Sequence, residues 1–210
     1  MVAYAKSNYL ICIGSEEYMG RDRKFSTLDL FLESKKLVLA VGYEGFTIAR
    51  LAESLEVSRA AIYKYYTNKD ELLMDFMLHE MDKSVKDLLS IPSDLSYLEQ
   101  LDELLHSIFR SKDLHLLLGI AEIIPTSNNP QMQQKKEQLS AMHFNMYGPL
   151  MRIVQQGKKE GYVDVDIPNE LVLGFIFQTI NIPNHSKMDD VEFFNFTKLL
   201  ILNGVRGENK

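Results

Sequence analysis

From about residue 28 onward, the apolar residues of this chain recur every three or four positions, and no stretch alternates apolar and polar with a period of two. That spacing demands helices packed on helices and leaves no sheet to build. In "LDLFLESKKLVLAVG", Leu30, Phe31, Ser34, Leu37, Val38 and Val41 fall on one side, and Gly42 is the stop. "NKDELLMDFMLHEMDKSVKDLLS" reads as a long amphipathic helix that ends before Pro92. Residues 95–110 and 113–124 read as two more, after which Pro125 and "TSNNP" interrupt. Residues 130–159 form one long helical stretch with a bend expected at Gly148-Pro149, closed by Gly161, and Pro168 stands where the next helix can begin. Helices over about 169–182 and 190–204 flank "NIPNHS" at the end of the chain. No internal repeat is present. Residues 1–20 fit no periodic pattern and read as a disordered or tag-like extension.

Composition bounds the function. A hydrophobic share of 46% with 25% charged residues supports a packed core. The lone cysteine, Cys12, rules out an intrachain disulfide and favours a reducing, cytoplasmic setting. No apolar run approaches the roughly 18 residues of a membrane span, so no membrane partner is expected. A net charge of −6 argues against a protein that coats nucleic acid with its whole surface. The distribution is uneven, however. Residues 21–70 carry nine basic and seven acidic side chains, a net +2, which leaves −8 on the remainder. A mildly basic segment on an acidic body fits a local nucleic-acid footprint.

Inside that segment, "IARLAESLEVSRAAIYKYY" reads as two short helices meeting at a sharp angle. Ala52 is small enough for the helices to touch, and Leu51, Leu55, Val57 and Ile62 have the offsets of a miniature core. Thr47 and Ser58 are placed as N-caps, and Asn68 with Glu71 has the spacing of a capping box for the helix that follows. The residue before Val57 in such a turn adopts a left-handed conformation that suits glycine. Here it is Glu56, at a cost of up to roughly 1–2 kcal/mol.

The stretch "GYEGFTIARLAESLEVSRAAIYKYYTNKDELL" resembles the DNA-binding domain of the tetracycline-repressor (TetR) family of transcription regulators. The likeness covers residues of about 30–75 and rests on Gly42-Tyr43, Phe46-Thr47, Leu51-Ala52, Val57-Ser58 and, most specifically, the run Tyr63 to Leu72. Two positions depart from the family pattern: Glu56 replaces the usual glycine, and Tyr65 stands where histidine is commonest. The resemblance implies an all-α fold, with a three-helix helix-turn-helix DNA-binding domain at 21–72 and a larger helical ligand-binding and dimerisation domain at 73–210. It implies that the helix starting at Ser58 lies in the major groove with Arg59 and Ala60 nearest the bases. Ala60 and Ala61 permit close approach. Tyr63 and Tyr65 are implied to reach phosphates while Tyr66 packs inward, and Thr47, Lys64 and Lys69 are further phosphate candidates.

The last two helices, with "LVLGFIFQTI" and "FFNFTKLLILNGV", are apolar nearly all round. A helix of that kind must bury every face, which predicts a homodimer through Leu173, Phe177, Phe193, Phe196 and Leu200, the alternative being a monomer with a deep core. Dimerisation suits a palindromic operator in double-stranded DNA. Methionines on helices of about 72–81 and 142–151 either fill the core or line an adaptable pocket for an apolar or amphipathic effector. The candidate pocket set is Met77, His106, Phe109, Met142, Met146 and Phe175, with His115 and His143 as further possible hydrogen-bonding residues. No histidines are spaced i,i+4 and no cysteines cluster, so neither metal nor cofactor is expected. There is no glycine-rich phosphate loop and no nucleophile elbow, hence no enzyme constellation. The expectation is a cytoplasmic, ligand-responsive DNA-binding regulator, most simply a repressor. The alternative is a helical ligand- or partner-binding protein with a vestigial DNA-reading surface, supported by Glu56 and the acidic balance.

Overall fold

The computed structural model describes residues 25–126 and 129–205. Among these the fold is all-α: ten α-helices, one 3-10 turn and no strand. The extension at 1–20 lies outside the described residues. In chain order the helices are α1 (Thr27–Gly45), α2 (Ile48–Ser54), α3 (Arg59–Ile62), α4 (Lys69–Leu89), α5 (Tyr97–Arg110), α6 (Lys112–Ile123), α7 (Pro130–Asn145), α8 (Tyr147–Lys159), α9 (Asn169–Gln178) and α10 (Asp190–Gly204).

α1 opens with a reciprocal capping box. The Asp29 N–H donates to Ser26 Oγ at 3.0 Å, and the Ser26 N–H donates to the Asp29 carboxylate at 2.8 Å. Leu30, Phe31, Ser34 and Val38 are buried along one face, and helical geometry breaks at Gly42, where φ is 69°. Val41, expected on the buried stripe, is exposed because it precedes that break. α1, α2 and α3 close around Phe46, Ile48, Leu51, Ala52 and Ile62, all buried, with Leu55 and Val57 half-buried beside them.

α4 is the spine of the molecule. It runs unbroken through the expected boundary at 72/73, and Leu72, Leu73, Met74, Phe76, Met77 and Met81 are all buried. α1, α5, α6, α7 and α8 pack against it. Ion pairs tie it outward: Lys35 of α1 to Glu80 at 2.8 Å, and Lys135 of α7 to Asp75. α5 and α8 approach closely because Gly157 has no side chain. A Cβ there would lie 2.7 Å from the Tyr97 ring and 2.7 Å from Val163.

The bend expected at Gly148-Pro149 comes earlier, at Met146, where α7 ends and α8 begins. Proline lacks an N–H to donate and its ring clashes with the carbonyl four residues back, so it sits comfortably only in a first turn. Breaking at Met146 puts Pro149 in the first turn of α8.

Candidate nucleic-acid interface and effector cavity

Thr47 caps α2, accepting the Arg50 N–H at 3.2 Å. α2 then ends in a Schellman motif: the Val57 N–H donates to Ala52 O at 2.9 Å, and the Glu56 N–H donates to Glu53 O at 3.0 Å. Glu56 occupies the left-handed position with φ 55°, as its place in the turn predicts. The same motif ends α8, where the Tyr162 N–H donates to Gly157 O at 2.9 Å and the Gly161 N–H to Lys158 O at 3.2 Å. There the left-handed residue is Gly161, φ 78°. A helix-turn-helix geometry is thus preserved around a residue that strains it.

Ser58 stands at the N-cap of α3 in extended geometry, but its hydroxyl makes no capping hydrogen bond. α3 itself is a single turn. It turns Ile62 into the core and leaves Ser58, Arg59, Ala60, Tyr63, Lys64 and Tyr65 exposed, with Ala61 and Tyr66 half-buried. Thr47, at the head of α2, is also exposed. The Tyr65 ring meets Phe25 edge-on at 6.0 Å.

Lys69 is engaged within the protein. Its ammonium donates to Tyr43 O at 2.9 Å and lies 3.9 Å from the centre of the Tyr43 ring. Tyr43 in turn donates from its hydroxyl to Asp70 at 2.8 Å. Burial, with this bond to Asp70, pushes its phenol up to about 12. Asn68 caps α4, accepting the Glu71 N–H at 2.8 Å. The expected reciprocal bond shifts by one residue: the Glu71 carboxylate accepts the Thr67 N–H at 3.0 Å and the Thr67 hydroxyl at 2.7 Å. Burial pushes the Glu71 carboxyl up, but these Thr67 bonds and the Lys135 charge outweigh it and hold the group below its ordinary value.

A half-open cavity of about 90 Å³ lies between α4, α5, α6, the α7–α8 junction and the end of α9. Met81, Ser84 and Leu88 form one wall; Ser111, His115 and Leu118 another; His143, Tyr147 and Phe177 a third. Of the six residues expected to line a pocket, Met146 alone does so. Met77 is sealed in the core against neighbouring helices, and Met142 packs half-buried against that core. His106 and Phe109 form instead the seat of α10: Phe194 lies 4.3 Å from the His106 ring, and Phe193 meets Phe109 edge-on at 5.8 Å. Lys198 pairs with Asp102 at 2.6 Å beside them.

Phe175 and Phe177 exchange the places expected of them. Phe175 is exposed on the outer side of α9, and Phe177 faces the cavity. Leu173 is wholly buried in its own chain and Phe193 is half-covered by Phe109, so neither is among the exposed apolar residues of α9 and α10. Phe196 and Leu200 are exposed, as are Leu171, Val191 and Leu199, which the sequence did not single out, and Phe175. Their spacing on α9 and α10 is the missed signal: 171–175 and 196–199–200 each recur at helical intervals.

Known proteins match both parts. Residues 33–75 match the family described as "Bacterial regulatory proteins, tetR family". The HTH-type transcriptional regulator YdeS of Bacillus subtilis (strain 168) is 25% identical over 197 residues, covering 90% of this chain and 92% of that protein. The ketosteroid transcriptional regulator KstR2 of Mycobacterium tuberculosis has the same fold, with a TM-score of 0.66 at 16% identity over 90% of this chain and 97% of that one. So does the transcriptional regulator FadR of Bacillus subtilis in complex with stearoyl-CoA, with a TM-score of 0.60 at 19% identity over 86% and 100% of the two chains. Residues 33–75 thus match the tetR family of bacterial regulatory proteins, and the helices of the whole chain have the fold of the transcriptional regulators KstR2 and FadR.

Proposed function

We propose that the protein is a homodimeric repressor that grips a palindromic operator and is released from it by a small apolar or amphipathic ligand. The observation that carries this reading is the division of labour in α2 and α3. Leu51, Ala52 and Ile62 are buried, while Arg59, Ala60, Tyr63 and Lys64 are presented together on the outside. Arg59 offers a bidentate donor to guanine, and the small Ala60 lets the backbone come close to a thymine methyl. Thr47, Ser58, Lys64 and the tyrosine hydroxyls supply uncharged and cationic donors for the flanking phosphates.

Two copies fit the reading because α9 and α10 leave the large apolar side chains Leu171, Phe175, Phe196, Leu199 and Leu200 exposed. Joining these faces in a pair of chains buries them and sets two α3 segments at a fixed separation. The effector would occupy the cavity beside α4. At about 90 Å³ in this form, it is well below the roughly 300–1,000 Å³ of small-molecule sites, so a ligand must part its walls. α4 lines the cavity with Met81, Ser84 and Leu88 and begins, at Lys69, directly after the DNA-reading segment. Displacing it alters the separation of the two α3 segments and favours the DNA-free state. The FadR structure, which holds stearoyl-CoA, supports an effector with a hydrocarbon part.

Glu56 does not favour the vestigial alternative, since the turn keeps both of its Schellman hydrogen bonds. The test is selection of the purified protein against randomised duplex DNA and its own upstream region. A two-fold symmetric consensus is expected; recovery of unrelated sequences would refute the reading.

A further inference from the structure

Among the described residues, the cavity walls include no Lys, Arg, Asp or Glu. The titratable side chains facing it are His115 from α6, His143 from α7 and Tyr147 from α8; α4, α5 and the end of α9 contribute none. The Asn181 amide nitrogen lies 3.3 Å from His115 Nε2, within hydrogen-bond distance. His143 is half-buried and meets the Tyr147 ring edge-on at 5.7 Å. Burial, and then the neighbouring His115, hold the His143 imidazole below its usual value, so it is neutral in the unliganded cavity at neutral pH. The Ser84 and Ser111 hydroxyls stand 3.3 Å apart on the same lining.

Every polar group here can donate to an acceptor, and the rest of the lining is apolar. A cationic ligand finds no carboxylate, and a polyanion finds no lysine or arginine. One negative charge is what two imidazoles can match, because an anion beside a neutral histidine favours its protonation.

We propose that the cavity takes a monoanionic amphipathic acid, its carboxylate held between His143 and His115 and its hydrocarbon part against Met81, Leu88 and Leu118. This rests on the reading of the cavity as the effector site. Binding carries a proton onto His143. Affinity is therefore greatest below the unliganded value of His143 and is lost as pH rises through the raised, ligand-bound value.

Calorimetry with octanoate and 1-octanol on the full-length protein tests this at about pH 6 and about pH 8, in buffers of different ionisation enthalpy. Octanoate is ionised at both pH values. It should bind about tenfold more tightly at the lower pH, the change that one pKa unit on one histidine produces, with measurable proton uptake. 1-Octanol should bind more weakly, with no pH dependence. His143→Gln and, separately, His115→Gln should each reduce octanoate binding at the lower pH, with H143Q also losing the proton uptake. Equal binding of octanol and octanoate, or pH dependence retained in H143Q, would overturn the anion assignment and leave the effector cavity standing. Binding of neither probe would overturn both, while DNA selection by α3 remains a separate result.

Discussion

The Lys69 ammonium lies over the Tyr43 ring, 3.9 Å from its centre, and donates to the Tyr43 carbonyl at 2.9 Å. Tyr43 follows the break in α1 and Lys69 begins α4, so this contact clamps the two helices that flank the DNA-reading pair. A lysine placed by sequence among the phosphate contacts is thereby also a structural residue. Lys69→Met should lower unfolding free energy by about 1–2 kcal/mol, the combined scale of a partly covered cation–π contact and a charge-assisted hydrogen bond. Lys64→Ala, at an exposed position, should leave urea denaturation unchanged and weaken DNA binding to all sequences alike.

Glu56 and Gly161 occupy the same place in two Schellman turns, with φ 55° and 78°. The left-handed geometry costs a non-glycine residue roughly 1–2 kcal/mol, and glycine returns part of that through its freer unfolded chain. Glu56→Gly should therefore stabilise the protein by about 0.5–1 kcal/mol in thermal or urea unfolding. A loss of stability would show that the Glu56 side chain makes a compensating contact.

Lys35 sits where three helices meet, 2.8 Å from Glu80 of α4 and 3.8 Å from Asp113 of α6. Asp113 immediately precedes Leu114 and His115 of the cavity lining, so the lysine joins the cavity side of the molecule to α1. The pairs are partly exposed and contribute at most about 1 kcal/mol to folding. Lys35→Met should leave the melting temperature within a few degrees and lower the coupling between effector and DNA by about 0.5–2 kcal/mol. Operator affinity measured with and without effector gives that coupling directly, and an unchanged ratio would remove Lys35 from the relay.

Phe175 of α9 and Leu200 of α10 are exposed, as are Phe196 and Leu199 of α10. Phe175→Glu combined with Leu200→Glu should convert a species of twice the chain mass into one of the chain mass in light scattering. Helical content should be retained, because neither side chain belongs to the chain's own core. A monomeric wild-type protein would discard the proposed interface.

What was legible in the sequence follows from where its signals were one-sided. α1, α4 and α5 each have a polar face, so period and caps located them to within a few residues, and Leu51, Ala52 and Ile62 announced the small core of the DNA-reading pair. α9 has no polar face. With "LVLGFIF" apolar all round, nothing in the pattern sets its rotation, and an error of about 200° exchanges Phe175 with Phe177. Met146, His115 and His143 of the cavity lining were legible, but most of its walls were not, for a related reason. Its walls come from six helices, and His106 or Phe109 differs from Ile108 and Ser111 only by which way α5 turns toward α10. Such choices are made by tertiary packing, which local pattern does not encode.

The central claim is that Arg59, presented by α3, reads a base in a specific site. Affinity for the selected palindrome and for an unrelated duplex, measured at matched salt for wild type and Arg59→Ala, tests it most directly. Wild type should prefer the palindrome by at least about a thousandfold. Arg59→Ala should lose about 1–3 kcal/mol on the palindrome, and lose discrimination at one base pair in each half-site. Equal weakening on both duplexes would contradict the account, since it would make Arg59 a phosphate contact and leave base reading to other residues.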